Sequence, residues 1–262
     1  MIRAALVLAL LWAPSAFCGD WRETLTPPQP GRFAALRPLK AHYTFGWAAL
    51  TAGEADTEFS RTKAGLLQLR VKGGSTGPAR ALWRLDADST SLVRPETLQP
   101  ISVVQNETYS DEARKTTVVF GLEGAARTRE RKPKNKDSGK TKRFKFAPVF
   151  DLQSALLFVR SQPLEPGDIV RIVSYPAAQA FLTEVEVVGH ESISVAGAKR
   201  PALKLALRLR SINKQLELEA HKNFKGAFAW LSDDRDRLLL KIEADLMVGK
   251  VWMDLARVEF AK

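Results

Sequence analysis

The sequence predicts a mainly β fold: an antiparallel meander sheet curled into a half-open barrel or sandwich around one buried helix at about 151–160. Apolar residues recur at every second position in run after run beyond residue 40, and a single segment breaks to helical spacing. Half-polar runs joined by short connections favour antiparallel pairing with one face covered.

The strands read in order. In AHYTFGWAAL, Tyr43, Phe45 and Trp47 alternate with small or polar residues. Gly53 then precedes a run with Glu54, Asp56 and Glu58 on one face and Ala55, Thr57 and Phe59 on the other. Leu67, Leu69 and Val71 point inward from the next run, and β-rich runs follow near 80–89, 99–108 and 114–121. LKLALRLR sets Leu203, Leu205, Leu207 and Leu209 against Lys204, Arg208 and Arg210; Leu216 and Leu218 continue the alternation. FAWLSDDRDRLLLKIEADL reads as a hairpin, with Phe228 and Trp230 before a charged turn and Leu240, Ile242, Ala244 and Leu246 after it. VWMDLARVEF is the closing strand.

The helix has its own signals. Asp151 sits where an N-cap belongs, Leu152, Ala155, Leu156 and Val159 follow at helical spacing, Arg160 suits the C-terminal end of the dipole, and Pro163 lies beyond. Leu157 and Phe158 make it apolar around most of its girth, so it should be buried.

The N-terminus, MIRAALVLALLWAPSAFCGD, has the order of a secretory signal peptide: Arg3, an apolar run, then Pro and small residues. The expected organisation is a signal peptide at 1–18, an extended proline-rich leader at 19–39 and a single β domain at 40–262, giving an exported, periplasmic protein. Cleavage after Cys18 leaves a mature chain with no cysteine; the alternative, against which Phe17 counts, makes Cys18 the lipidated first residue of a lipoprotein. Neither allows a disulfide within one chain, so stability must come from core burial.

The charge is concentrated. Residues 127–145 carry ten Lys or Arg against Glu130 and Asp137, or +8 of a total +11. The segment at about 124–143 reads as a mobile basic loop, because its middle is poor in apolar residues and is interrupted by Pro133 and Gly139. Arg127, Arg129, Arg131, Lys132, Lys134, Lys136, Lys140, Lys142 and Arg143 are candidates for contact with an anionic membrane surface. Nucleic acid is not expected as a partner: an exported chain rarely meets it, and no stacking aromatics interleave the lysines.

No catalytic constellation stands out. Ser154 lacks the G-x-S-x-G elbow and reads as a helix-start residue supporting Asp151. His42, His190 and His221 have no metal-ligand spacing, and Asp233, Asp234 and Asp236 lack the glycine and glutamate of a calcium loop. Asp234 is expected to pair with Arg235 or Arg237 or to accept backbone donors within the turn. No cofactor, metal or enzymatic activity is expected. Tyr43, Phe45, Trp47, Trp83, Phe228, Trp230 and Trp252 either line a cavity for an acyl chain or form a filled core, the reading the sequence favours.

DLQSALLFVRSQPLEPGD, VVGHESISVAGAKRPALKL and AFAWLSDDRDRLLLKIEADLMVGKVWMDL, with the early YTFGWAALTAGEADTEF, resemble the domain of unknown function 3108 family of exported bacterial proteins. The resemblance covers roughly 41–258, and its motif positions are Asp151, Ser154, Arg160, Trp230, Ser232 and Asp234. It implies an envelope-associated β protein and supplies no catalytic role. The expected function is therefore binding of a lipidic or other envelope ligand; the competing expectation is a structural or assembly factor with no small ligand. The sequence leaves the oligomeric state open.

Overall fold

The computed structural model describes residues 20–33, 36–176, 178–247 and 249–261. The expected signal peptide and Cys18 lie outside them. The chain forms β1 (Leu39–Trp47), β2 (Leu50–Arg61), β3 (Leu67–Ser75), α1 (Gly77–Leu82), β4 (Leu85–Val93), β5 (Pro100–Tyr109), β6 (Ala113–Gly121), β7 (Gly124–Lys132) and β8 (Thr141–Phe144). Then come α2 (Leu152–Ser161), β9 (Ile169–Ser174), β10 (Ala180–Val195), β11 (Ala198–Ile212), β12 (Leu218–Ala220), β13 (Phe224–Ser232), β14 (Leu239–Leu246) and β15 (Gly249–Phe260).

All fifteen strands belong to one sheet, in the order β8-β7-β6-β5-β4-β3-β2-β1-β15-β14-β13-β11-β10-β9 with β12 beside β11. The first and last strands meet mid-sheet, with Leu39 opposite Phe260 and Trp47 opposite Val251. The sheet is antiparallel and curls without closing, because β8 and β9 do not pair. The free edge of β9 is covered instead. Thr26 N–H donates to the Arg171 carbonyl and Arg171 N–H to the Thr26 hydroxyl, both at 2.9 Å. Phe150 N–H donates to the Val173 carbonyl at 2.9 Å, and Tyr175 N–H to the Phe150 carbonyl at 2.7 Å. The β8 edge is four residues long and carries exposed Lys142 and Arg143, which discourages strand addition.

Helix α2 lies inside the curl. Asp151 caps it, accepting from the N–H groups of Gln153 (2.8 Å) and Ser154 (3.3 Å), while the Ser154 hydroxyl accepts from Asp151 N–H at 3.0 Å. Leu157 packs with Tyr43, Phe59, Leu67, Leu240 and Leu255; Phe158 packs on the other side with Phe150, Val170 and Val185. Each such fully buried side chain contributes about 1.5–3 kcal/mol of transfer free energy. The helix's C-terminal carbonyls are met by Arg237, which donates to the Arg160 carbonyl at 3.1 Å and to those of Gln162 and Pro163. Arg160 donates to the Asp236 carbonyl at 2.6 Å. The Asp234 carboxylate accepts from Ser232 Oγ (2.8 Å), Asp236 N–H (2.9 Å) and Arg237 N–H (3.2 Å), so it organises the turn through internal donors.

Three expectations need correction. The basic segment at 124–143 is largely a hairpin rather than a loop: β7 pairs along β6 from Gly121↔Gly124 to Ala113↔Lys132, and β8 pairs with β7. Ala125, Arg127, Arg129 and Arg131 alternate with outward residues, and this period-two pattern outweighs the polar composition. The run at 80–89, expected to be β-rich, divides into the end of α1 and the start of β4; α1 buries none of its residues, so α2 is the buried helix that was expected. The leader contains a 3-10 turn, Trp21–Thr24, and docks: Trp21 Nε1 donates to the Leu216 carbonyl at 2.9 Å. Gly31 crosses the end of α2 so closely that a Cβ there would lie 1.9 Å from the Ser161 carbonyl oxygen.

Candidate ligand cleft

α2 fills only part of the interior. Between its N-terminal end and the inner face of β3–β6 lies a cleft of about 260 Å³, several times the roughly 30 Å³ share of one water. Val71, Val103, Val118, Leu152, Tyr175 and Pro176 form its apolar wall, and Ser89, Gln105, Asp151 and Gln153 add polar groups. The volume is just below the roughly 300–1,000 Å³ of typical small-molecule sites. Gln153 Oε1 is buried there without a hydrogen-bond partner. The Asp151 carboxylate is engaged by the two backbone donors and by Ser91 Oγ at 2.9 Å; burial raises its pKa above the ordinary carboxylate value despite these bonds.

An arginine cluster continues the same inner face. Strand register places Val118 opposite Arg127, Thr116 opposite Arg129 and Arg114 opposite Arg131, while Gln105 faces Thr116 and Glu107 faces Arg114. Cross-strand neighbours have Cβ atoms about 4.5–5.5 Å apart, so Arg127 adjoins the cleft wall at Val118. Glu112 binds Arg114 and also Arg131, the latter at 3.4 Å. Arg129 Nε donates to Thr116 Oγ1 at 3.0 Å. Burial first, then the neighbouring Arg127, Arg131 and Arg114 charges, lower the Arg129 pKa, with Glu107 opposing. Arg127 is only 8% exposed, and its Nε has no hydrogen-bond partner. Among the described residues no carboxylate reaches ion-pair distance of Arg127 or Arg129.

The expected basic surface is thus divided. Arg127, Arg129 and Arg131 face inward, a correction imposed by the β6–β7 register, whereas Lys132, Lys134, Lys136, Lys140, Lys142 and Arg143 are exposed. The expected aromatic lining is not assembled around one cavity either. Tyr43 is buried in the core and donates its hydroxyl to the Leu239 carbonyl at 2.9 Å; Phe45 packs over Gly53. Trp230 is buried near Phe228 and Lys204 and donates to Glu191, and Trp252 donates to the Ala48 carbonyl at 2.9 Å. Trp47, the last residue of β1, and Trp83, the C-cap of α1, are half exposed. The cleft residues that sequence reasoning missed, Val103 and Val118, sit at inward positions of two runs it recognised as β-rich. Tyr175 follows β9 and carried no signal of its role.

Strand directions gather several turns at one end of the sheet. The β14–β15, β1–β2, β3–β4, β5–β6 and β7–β8 connections follow one another along that rim. They expose Met247, Trp47, Leu50, Leu82 and Trp83, with Leu82 92% exposed, and end in the lysine-bearing β7–β8 tip. A larger hollow of about 650 Å³ on the outer face near α1 is lined by charges that are mostly paired, including Arg80–Asp86 at 2.8 Å.

Among the described residues no group of three His, Cys, Asp or Glu is placed to hold a metal, and no helix is long and apolar enough to cross a membrane. Ser154 is buried and spends its hydroxyl on helix capping. His42 lies 2.9 Å from Asp56 and His190 lies 2.8 Å from Asp233, on separate strands.

A family model described as "Protein of unknown function (DUF3108)" matches residues 41–256. No curated protein matches the sequence. A β-barrel-like protein of domain of unknown function DUF1849 from Brucella abortus superposes with a TM-score of 0.60 at 10% identity, covering 87% of this chain and all of that one. Two further solved structures align at 8% identity, covering 88% of this chain and 99% of each of theirs. One is provisionally named an exported protein with YmcC-like fold, from Bacteroides fragilis, and the other provisionally a lipoprotein, from Parabacteroides distasonis. Their TM-scores of 0.37 and 0.35 carry no argument about this fold.

Proposed function

We propose that this chain, which belongs to the DUF3108 family, is an exported envelope protein that acts by binding a lipidic ligand in its half-open barrel and not by catalysis. The observation that carries this reading is the cleft itself: apolar side chains from three strands, α2 and the segment after β9 surround about 260 Å³ of open space beside buried polar atoms without partners. Export is supported by the N-terminal sequence pattern.

The experiment is native mass spectrometry of the mature protein taken from its own envelope without detergent exchange, followed by extraction of anything bound. A reproducible lipid adduct is expected. A bare polypeptide mass, unchanged after incubation with an envelope lipid extract, would refute the reading.

A second reading rests on the rim. Trp, Leu and Met side chains exposed beside a lysine-rich tip suit the interface of an anionic bilayer, where aromatic rings sit at headgroup depth and each basic residue contributes about 1 kcal/mol. The protein would then meet the membrane through these turns while holding its ligand inside.

A further inference from the structure

The arginine cluster specifies the ligand more closely, given the proposed lipid-binding cleft. Among the described residues of β5–β7 and their turns, Arg114, Arg127, Arg129 and Arg131 face inward with Glu107 on β5 and Glu112 in the β5–β6 turn, an excess of two positive charges, while Asp151 stands across the cleft with its own donors. Glu112 is committed to Arg114 and Arg131, and Glu107 accepts from the Tyr109 hydroxyl at 3.2 Å. Arg127 and Arg129 are left without an acid partner. A buried guanidinium donor with no acceptor is costly, and a filled anion site removes that cost. The cleft and the cluster are continuous: Tyr175 lines the cleft, its phenol lies within the field of both Arg127 and Arg129, and Val118 joins the two across one strand pair.

We propose that the cleft takes an amphiphile with one anionic head, a carboxylate or a phosphate ester, seated on Arg127 and Arg129 with its alkyl chain against Val71, Val103, Val118 and Leu152. The guanidinium fork suits both heads, since each offers two oxygens to parallel N–H donors. The apolar wall supplies affinity and the arginines supply orientation.

Isothermal titration of the mature chain with laurate, dodecyl phosphate and 1-dodecanol, all below micelle concentrations, tests this directly. At least one of the anions should bind about tenfold or more tighter than the alcohol. The tighter of the two anions names the head, and either order supports the proposal. Arg127→Gln should bring both anions to the alcohol's affinity and leave the alcohol unchanged; Arg129→Gln, at a less buried position, provides the same comparison should Arg127→Gln not fold. Dodecanol binding as tightly as both anions to the unmodified chain would overturn the anionic head and leave the cleft reading standing. No binding of any of the three would overturn both.

Discussion

Asp151 and Ser154 cap α2 reciprocally, the carboxylate accepting the Ser154 N–H at 3.3 Å and the hydroxyl accepting the Asp151 N–H at 3.0 Å. Ser91, fully buried on β4, donates to the same carboxylate at 2.9 Å and fixes the helix start to the sheet. Ser154→Ala should therefore cost about 0.5–2 kcal/mol in urea denaturation, the range for loss of a cap. Ligand binding at saturating concentration should survive, because the hydroxyl is engaged in the cap and not in the cleft wall.

Burial gives Asp151 a folded-state pKa above its unfolded value. Its contribution to stability is then fully present below the unfolded value, near 3.8, and is lost as pH rises through the raised one. Unfolding free energies measured from pH 3 to pH 8 should show wild type losing stability relative to Asp151→Asn as pH rises. A difference that stays flat or has the opposite slope would contradict the burial argument.

Arg237 donates to three carbonyls at the end of α2, while its own turn is held by Asp234. Arg237→Met should destabilise by about 2–4 kcal/mol, since buried carbonyls lose charged donors. Lysine should not restore the loss, because its single ammonium does not reproduce the guanidinium fork. Denaturation midpoints of the two variants decide the matter.

The rim predicts an ordered pattern of membrane binding. Flotation with vesicles rich in anionic lipid should recover the protein, and zwitterionic vesicles or about 1 M salt should release most of it. Trp47→Ser with Trp83→Ser, and separately replacement of Lys134, Lys136 and Lys140 by Gln, should each weaken recovery. Unchanged recovery in both variants would remove the rim from the account.

Much of the fold was legible because burial imposes periodicity. Leu67, Leu69 and Val71 alternate as β3 requires, and Asp151, Phe158 and Pro163 mark a buried helix with a capped start and a firm stop. The site was less legible. Composition made 124–143 look like a solvated loop, although Arg127, Arg129 and Arg131 follow the same period-two rule as any half-buried strand. Long guanidinium side chains satisfy that rule while looking polar. The aromatic residues drew attention by size, yet Trp47 and Trp83 fall at the ends of β1 and α1, where alternation no longer determines burial. The cleft depends on where α2 begins relative to Val103 and Val118, a tertiary relation that local pattern does not encode.

An alkyl chain is proposed to occupy the space beside the start of α2. The most direct test is a methyl-labelled NMR spectrum of the mature protein titrated with stearate carrying a nitroxide near its tail. Selective broadening of the Val71, Val103, Val118 and Leu152 methyls is expected, reversed by excess unlabelled stearate. Broadening confined to rim residues such as Leu50 and Leu82, with the cleft methyls unaffected, would contradict it.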